Sequence, residues 1–109
     1  DETAPMVAAV SPANGASGIP VNPRVIARFS EPVDPSSVSG TTITLDPAAN
    51  GNVALAFDGM TITFTPAAPY LPPATIHTVR VGSVRDLVGN ASAPFSSTFT
   101  TATDVAPVG

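Results

Sequence analysis

Cysteine is absent from this 109-residue chain, which excludes disulfides, thiolate nucleophiles and cysteine-ligated zinc together. Tryptophan and lysine are missing too, tyrosine and histidine occur once each, and only 11% of residues are charged. The four cations, Arg24, Arg28, Arg80 and Arg85, are scattered through a chain of net charge −4. Nucleic acids and anionic membrane surfaces demand a clustered basic footprint, so neither is an expected partner. No apolar run approaches the roughly 20 residues that span a bilayer, so membrane insertion is not expected either. The chain starts at Asp1 without an initiator Met or a signal peptide, and is read as a mature or excised fragment. The lack of cysteine leaves the compartment open.

What is present is apolar, turn-rich and short in period. Hydrophobic residues make up 43%, and thirteen prolines and eight glycines punctuate the chain. That composition supports one two-layer core and is hard to fit into helices. Val25, Ala27 and Phe29 alternate with Arg24, Arg28 and Ser30, and Ile43 and Leu45 alternate with Thr42, Thr44 and Asp46. Val53, Leu55 and Phe57 form a third stripe, and Met60, Ile62 and Phe64 a fourth. Asp58-Gly59 between these two stripes is a hairpin signal. Val79 and Val81, then Phe95 and Phe99, continue the period of two. With a first strand near residues 6–10, the expectation is all-β: an immunoglobulin-like sandwich of about seven antiparallel strands in two sheets. Its core is expected to hold Val25, Phe29, Leu45, Leu55, Phe57, Ile62, Phe64, Val79, Val81 and Phe99. Asp34-Pro35-Ser36-Ser37 reads as one capped helical turn, with Pro35 in the first helical position, where its missing N–H costs nothing.

Two turn clusters stand out, Ser11-Pro12-Ala13-Asn14-Gly15-Ala16-Ser17-Gly18-Ile19-Pro20 and Val84-Arg85-Asp86-Leu87-Val88-Gly89-Asn90. Together with Val21-Asn22, Phe29-Ser30-Glu31-Pro32-Val33-Asp34-Pro35-Ser36, Phe64-Thr65-Pro66 and Phe99-Thr100-Thr101, they resemble the bacterial immunoglobulin-like repeat of S-layer and large cell-surface proteins. The resemblance covers roughly residues 5–102 and rests on the order and spacing of its motifs. It implies a non-catalytic module, used in tandem as a spacer or adhesive stalk and located outside the cell or on its surface. The opening pattern also resembles the periplasmic copper-binding sandwich proteins. Their copper needs several histidines, whereas this chain has His77 alone and none near Asp1.

The chemistry-bearing residues are few. His77 shares a face with Val79 and Val81 and is expected to point into the core or its edge, its polar tip bonded to backbone as in a tyrosine corner. Glu31, Asp34, Asp86 and Asn90 are the oxygen donors that this topology could gather at one end of the sandwich, which makes calcium the one cofactor to consider. The structural alternative is that Asp34 caps its turn, Asp86 and Asn90 bond their own loop, and Glu31 pairs with an arginine. Gly89 and Asn90 tolerate positive φ, and Leu87 is expected to fold onto the core. Tyr70, in a proline-rich connection, is read as a loop anchor rather than a platform for sugars. No serine sits in a nucleophile turn, and no glycine-rich phosphate loop is present, so no catalytic residue is assigned.

The expected organisation is a linker over residues 1–5, one immunoglobulin-like domain over 6–101 and a second linker over 102–109. Its expected partners are neighbouring domains of the same polypeptide and an extracellular polymer or cell-surface ligand. Prolines near several strand ends argue that the isolated domain is a monomer.

Overall fold

A computed structural model describes residues 4–46, 49–67 and 71–103. Eight strands follow one another in the chain: β1 Val7–Ser11, β2 Ala16–Ile19, β3 Val25–Phe29, β4 Ile43–Asp46, β5 Gly51–Leu55, β6 Thr61–Pro66, β7 Ile76–Val81 and β8 Phe95–Thr101. They form two four-stranded sheets, ordered β1-β3-β6-β5 and β2-β8-β7-β4. Alternation sets the faces: in β3, Val25, Ala27 and Phe29 are buried while Arg28 is exposed, and in β7, His77, Val79 and Val81 are buried. Burying both apolar faces between the sheets is what drives the layers together. Among the described residues no helix is long and apolar enough to cross a membrane.

The strand count differs from the sequence expectation by β2, and the reason is local. Residues 11–20 read as a single turn because Ser, Pro, Asn and Gly dominate them, yet the segment carries the chain from one sheet to the other. The Asn14 side chain takes the place of a ladder partner: the Thr98 N–H donates to its Oδ1 (2.9 Å), and the Gly15 N–H donates to the Thr98 carbonyl (2.7 Å). Gly15 sits at φ 83°, where a side chain would be strained. The chain then runs alongside β8 in parallel, Ala16 opposite Phe99 and Ile19 opposite Thr101. The sandwich is therefore antiparallel everywhere except at this pair.

Most of the expected core is buried, including Val25, Phe29, Leu45, Ile62, Phe64, Val79, Val81 and Phe99. Phe57 is the clear correction, since its side chain is fully exposed. The β5–β6 register ends at Leu55 opposite Ile62. Ala56 N–H then bonds the Thr61 carbonyl, and Phe57 lands in the hairpin loop beyond the last paired residues. The loop itself forms around Asp58, as expected, whose carboxylate accepts from the N–H groups of Met60 (2.8 Å) and Thr61 (3.0 Å). Leu55 is only partly buried. Residues outside the regular stripes complete the core instead: Val21, Val33, Leu71 and Val84, all at 3% exposure or less. Pro5, expected in the N-terminal linker, is also buried. Tyr70 lies outside the described residues.

The chain enters at one pole of the sandwich, where Met6 and Ser30 exchange hydrogen bonds. It leaves at the other, where Ile19, Ala74 and Ala102 are joined by backbone hydrogen bonds. The long axis measures 46 Å against 23 and 20 Å across.

Candidate functional site at the N-terminal pole

Three loops meet at the pole where β1 begins. Val33 forms an antiparallel bridge with Asp86, its N–H donates to the Gly59 carbonyl (2.8 Å), and the Asp34 N–H donates to the Arg85 carbonyl (2.7 Å). These contacts bring Glu31, Asp34, Asp86 and Asn90 to a single end of the molecule, and each spends its polar groups differently.

Asp34 caps the single 3-10 turn Pro35–Ser37, with proline in its first turn. Its Oδ1 accepts from the Ser36 N–H (3.0 Å) and hydroxyl (2.9 Å), and these bonds hold its pKa below the ordinary 3.8. Ser37 ties the turn to the next loop, its hydroxyl oxygen accepting from the Arg85 N–H at 3.0 Å.

Asp86 organises one of the two turn clusters that stand out in the sequence. Its Oδ1 accepts from the N–H groups of Val88 (3.0 Å) and Asn90 (2.8 Å), and its Oδ2 accepts from Asn90 Nδ2 (2.8 Å). Gly89, at φ 98°, permits the reversal, and Ser92 closes the base by accepting from the Val84 N–H at 2.8 Å. Burial acts to raise the Asp86 pKa, but the bonds from Asn90 and Val88, with a contact from Glu31, outweigh it and hold the carboxyl at about 2. Leu87 does not fold onto the core as expected: it is 68% exposed at the tip of the tight Asp86 turn, whereas Val84 of the same segment is buried.

Glu31 also departs from expectation. It meets the Asp86 carboxyl rather than an arginine, and its Oε1 is buried with no hydrogen-bond partner. Desolvation first, then Asp86, push its pKa above the ordinary 4.5. Sequence distance hides this pairing, since 55 residues separate the two acids and the Val33–Asp86 bridge, with the bonds joining Asp34 and Ser37 to Arg85, brings them together.

Donors at this pole are thus largely committed to their own loops. Among the described residues no group of three or more His, Asp or Glu side chains is arranged to hold a metal ion. His77 lies at the far end of β7, fully buried and stacked on Phe99 at a centroid distance of 5.3 Å. Its Nε2 lies 3.4 Å from the Pro72 carbonyl, the backbone contact its position implies, and its Nδ1 has no partner. Among the described residues no carboxylate is bonded to the imidazole, and the acids of the N-terminal pole lie at the opposite end of the sandwich.

The class defined by these features is an immunoglobulin-like β-sandwich whose loops are bonded to themselves. The sequence matches the bacterial Ig-like domain family over residues 1–101, and the chain belongs to that family. No curated protein sequence matches it. Among solved structures it is similar to the N-terminal part of the bacterial S-layer protein SbsC, at TM-score 0.67 and 20% identity over 92% of this chain and 24% of that one. It is equally similar in fold to an L,D-transpeptidase from Mycobacterium smegmatis, at TM-score 0.67 and 24% identity over 92% of this chain and 41% of that one. L,D-transpeptidase 3 from Mycobacterium tuberculosis follows at TM-score 0.62 and 23% identity, covering 89% of this chain and 37% of the other. The chain therefore spans well under half of each of these proteins.

Proposed function

We propose that this chain is a non-catalytic structural module of a secreted or cell-surface bacterial protein, one of several domains in tandem, which holds its neighbours apart. The observation that carries this reading is that the described chain enters the fold at Met6 and leaves it at Ala102, at opposite poles of a 46 Å body. Family membership and the S-layer neighbour support it. The L,D-transpeptidase neighbours support it as well, since the matched region is a minor part of each of those chains.

The mechanism is mechanical. Tension drawn through the ends pulls β1 and β2 towards the N-terminal pole and β8 towards the C-terminal pole. Because β2 and β8 are parallel, the bonds at Asn14, Gly15 and Ile19 are loaded together in shear instead of opening one at a time. Small-angle scattering on a longer polypeptide carrying this domain tests the reading: deleting the domain should shorten the longest dimension by about 46 Å. An unchanged dimension would refute it.

A calcium-binding reading draws on one observation, the buried and unbonded Oε1 of Glu31 beside Asp86. A cation there would offset the repulsion between two carboxylates. Thermal unfolding in EDTA and in millimolar calcium decides it, because ligand binding to the folded state raises the midpoint by mass action. An unchanged midpoint removes calcium from this domain.

A further inference from the structure

Among the described residues, the large apolar side chains on the surface are unevenly placed. Met6 (66% exposed), Phe57 (112%), Leu87 (68%) and Val88 (65%) all lie at the N-terminal pole, while Ile76 (67%) lies at the other. Three separate stretches deliver the four: the segment leading into β1, the β5–β6 hairpin loop and the Asp86 loop. The hydrogen bonds from Val33 to Gly59 and the Val33–Asp86 bridge hold the latter two against one strut. Beside them, between the incoming chain and the start of β8, is a cleft of about 160 Å³ lined by Pro5, Met6, Val7, Ala93, Pro94 and Phe95, every one of them apolar.

An exposed Phe or Leu is unremarkable singly, but several gathered at one pole beside an apolar cleft mark an interaction surface. We propose that this pole is a docking surface for the domain that precedes this one on the same polypeptide, which would present an apolar face to Phe57, Leu87, Val88 and Met6. The inference rests on the tandem-module reading above and names the surface through which one module holds the next. Two observations select that occupant. The chain enters the fold at this pole, so whatever precedes residue 1 is tethered beside the surface. The fold also occurs as a minor part of longer chains in the similar structures. A tether of a few residues supplies an effective concentration on the order of millimolar, so an interface too small to hold free partners suffices here. Asp34 and Asp58 stand at the same pole, their carboxylates bonded to their own loops, as polar groups at the margin of such a contact should be.

Hydroxyl-radical footprinting of the longer polypeptide tests the proposal, with the oxidation of Met6 as the readout. Docking predicts that Met6 is several-fold less reactive there than in the separate 109-residue chain. It also predicts that F57S combined with L87S restores the reactivity, whereas I76S at the opposite pole leaves it unchanged. All three sites are exposed, so the variants should fold, and urea denaturation checks that they do. Equal Met6 reactivity in the polypeptide and the separate chain overturns the proposal, as does a polypeptide with no folded domain before residue 1. Protection of the separate chain that grows with its concentration assigns the surface to a second copy and overturns it. Protection that appears only on adding a polysaccharide assigns the surface to a carbohydrate, with the same consequence. Scattering on the same samples keeps the readings apart: a long particle with a reactive Met6 defeats docking and leaves the spacer standing, and a compact particle defeats the spacer.

Discussion

At the scale of single residues, exposure separates aromatic side chains that look alike in sequence. Phe29 and Phe64 are buried between the sheets, and Phe57 stands in water one hairpin away. Truncating Phe29 or Phe64 to Ala should cost about 3–5 kcal/mol through lost transfer energy and the cavity left behind. Phe57→Ala should stay within about 0.5 kcal/mol, as surface changes do. Urea denaturation of the three variants measures the contrast directly. Glu31 offers a test with a definite sign. Its pKa is raised in the fold by burial and by Asp86, so the ionised form disfavours the folded state and the penalty develops as pH rises through and above 4.5. Glu31→Gln should therefore melt higher than the natural chain at pH 7, and the gain should vanish well below pH 4.5. A variant that melts lower at pH 7 would mean that the charge is stabilised by something at this pole, a cation included.

At the scale of elements, side chains stand in for backbone where a strand cannot continue. Asn14 does this for β8, and replacing it with Ala leaves the Thr98 N–H without its acceptor. A loss of about 1 kcal/mol is expected, the usual net worth of one hydrogen bond. An unchanged denaturation midpoint would show that water replaces the side chain there. Asp34, Asp58 and Asp86 perform the same service in their loops, and bonding lowers the pKa of each from 3.8 in the fold, Asp86 to about 2. A depressed folded pKa contributes stability that is fully present above 3.8 and is lost as pH falls towards 2. Acid titration followed by circular dichroism should show unfolding free energy declining over that window, and Asp86→Asn should flatten the decline. A slope that persists in the variant would place the acid sensitivity elsewhere.

At the scale of the whole molecule, direction of pull becomes a property of the fold. The parallel β2–β8 pair and the antiparallel β1–β3 pair both oppose tension along the long axis. Stretching single molecules through their termini should give a discrete unfolding peak for this domain, and Asn14→Ala should lower it. Unfolding with no measurable peak would remove the shear mechanism and leave only a passive spacer. The exposed apolar pole belongs to this scale as well, since no single residue there is unusual and only their shared location gives them meaning.

Much of this was written in short-range pattern. The period of two in β3, β6 and β7, the Asp58-Gly59 hairpin, the Asp34 cap and the inward position of His77 follow from steric and hydrogen-bonding preferences spanning at most a few neighbours, and such preferences are legible in a linear string. Other features required the folded chain. β2 is a strand only because β8 is there to pair with it, and its Ser-Gly-rich sequence carries no alternation of its own. Phe57 sits outside the core because the β5–β6 register ends at Leu55, a limit set by the partner strand. Glu31 meets Asp86, and Met6, Phe57, Leu87 and Val88 share a pole, because the two sheets close over a common core and bring distant loops together. Local sequence determines what each segment prefers to be. Contacts across dozens of residues decide what each segment faces, and that is a quantity tertiary packing alone defines.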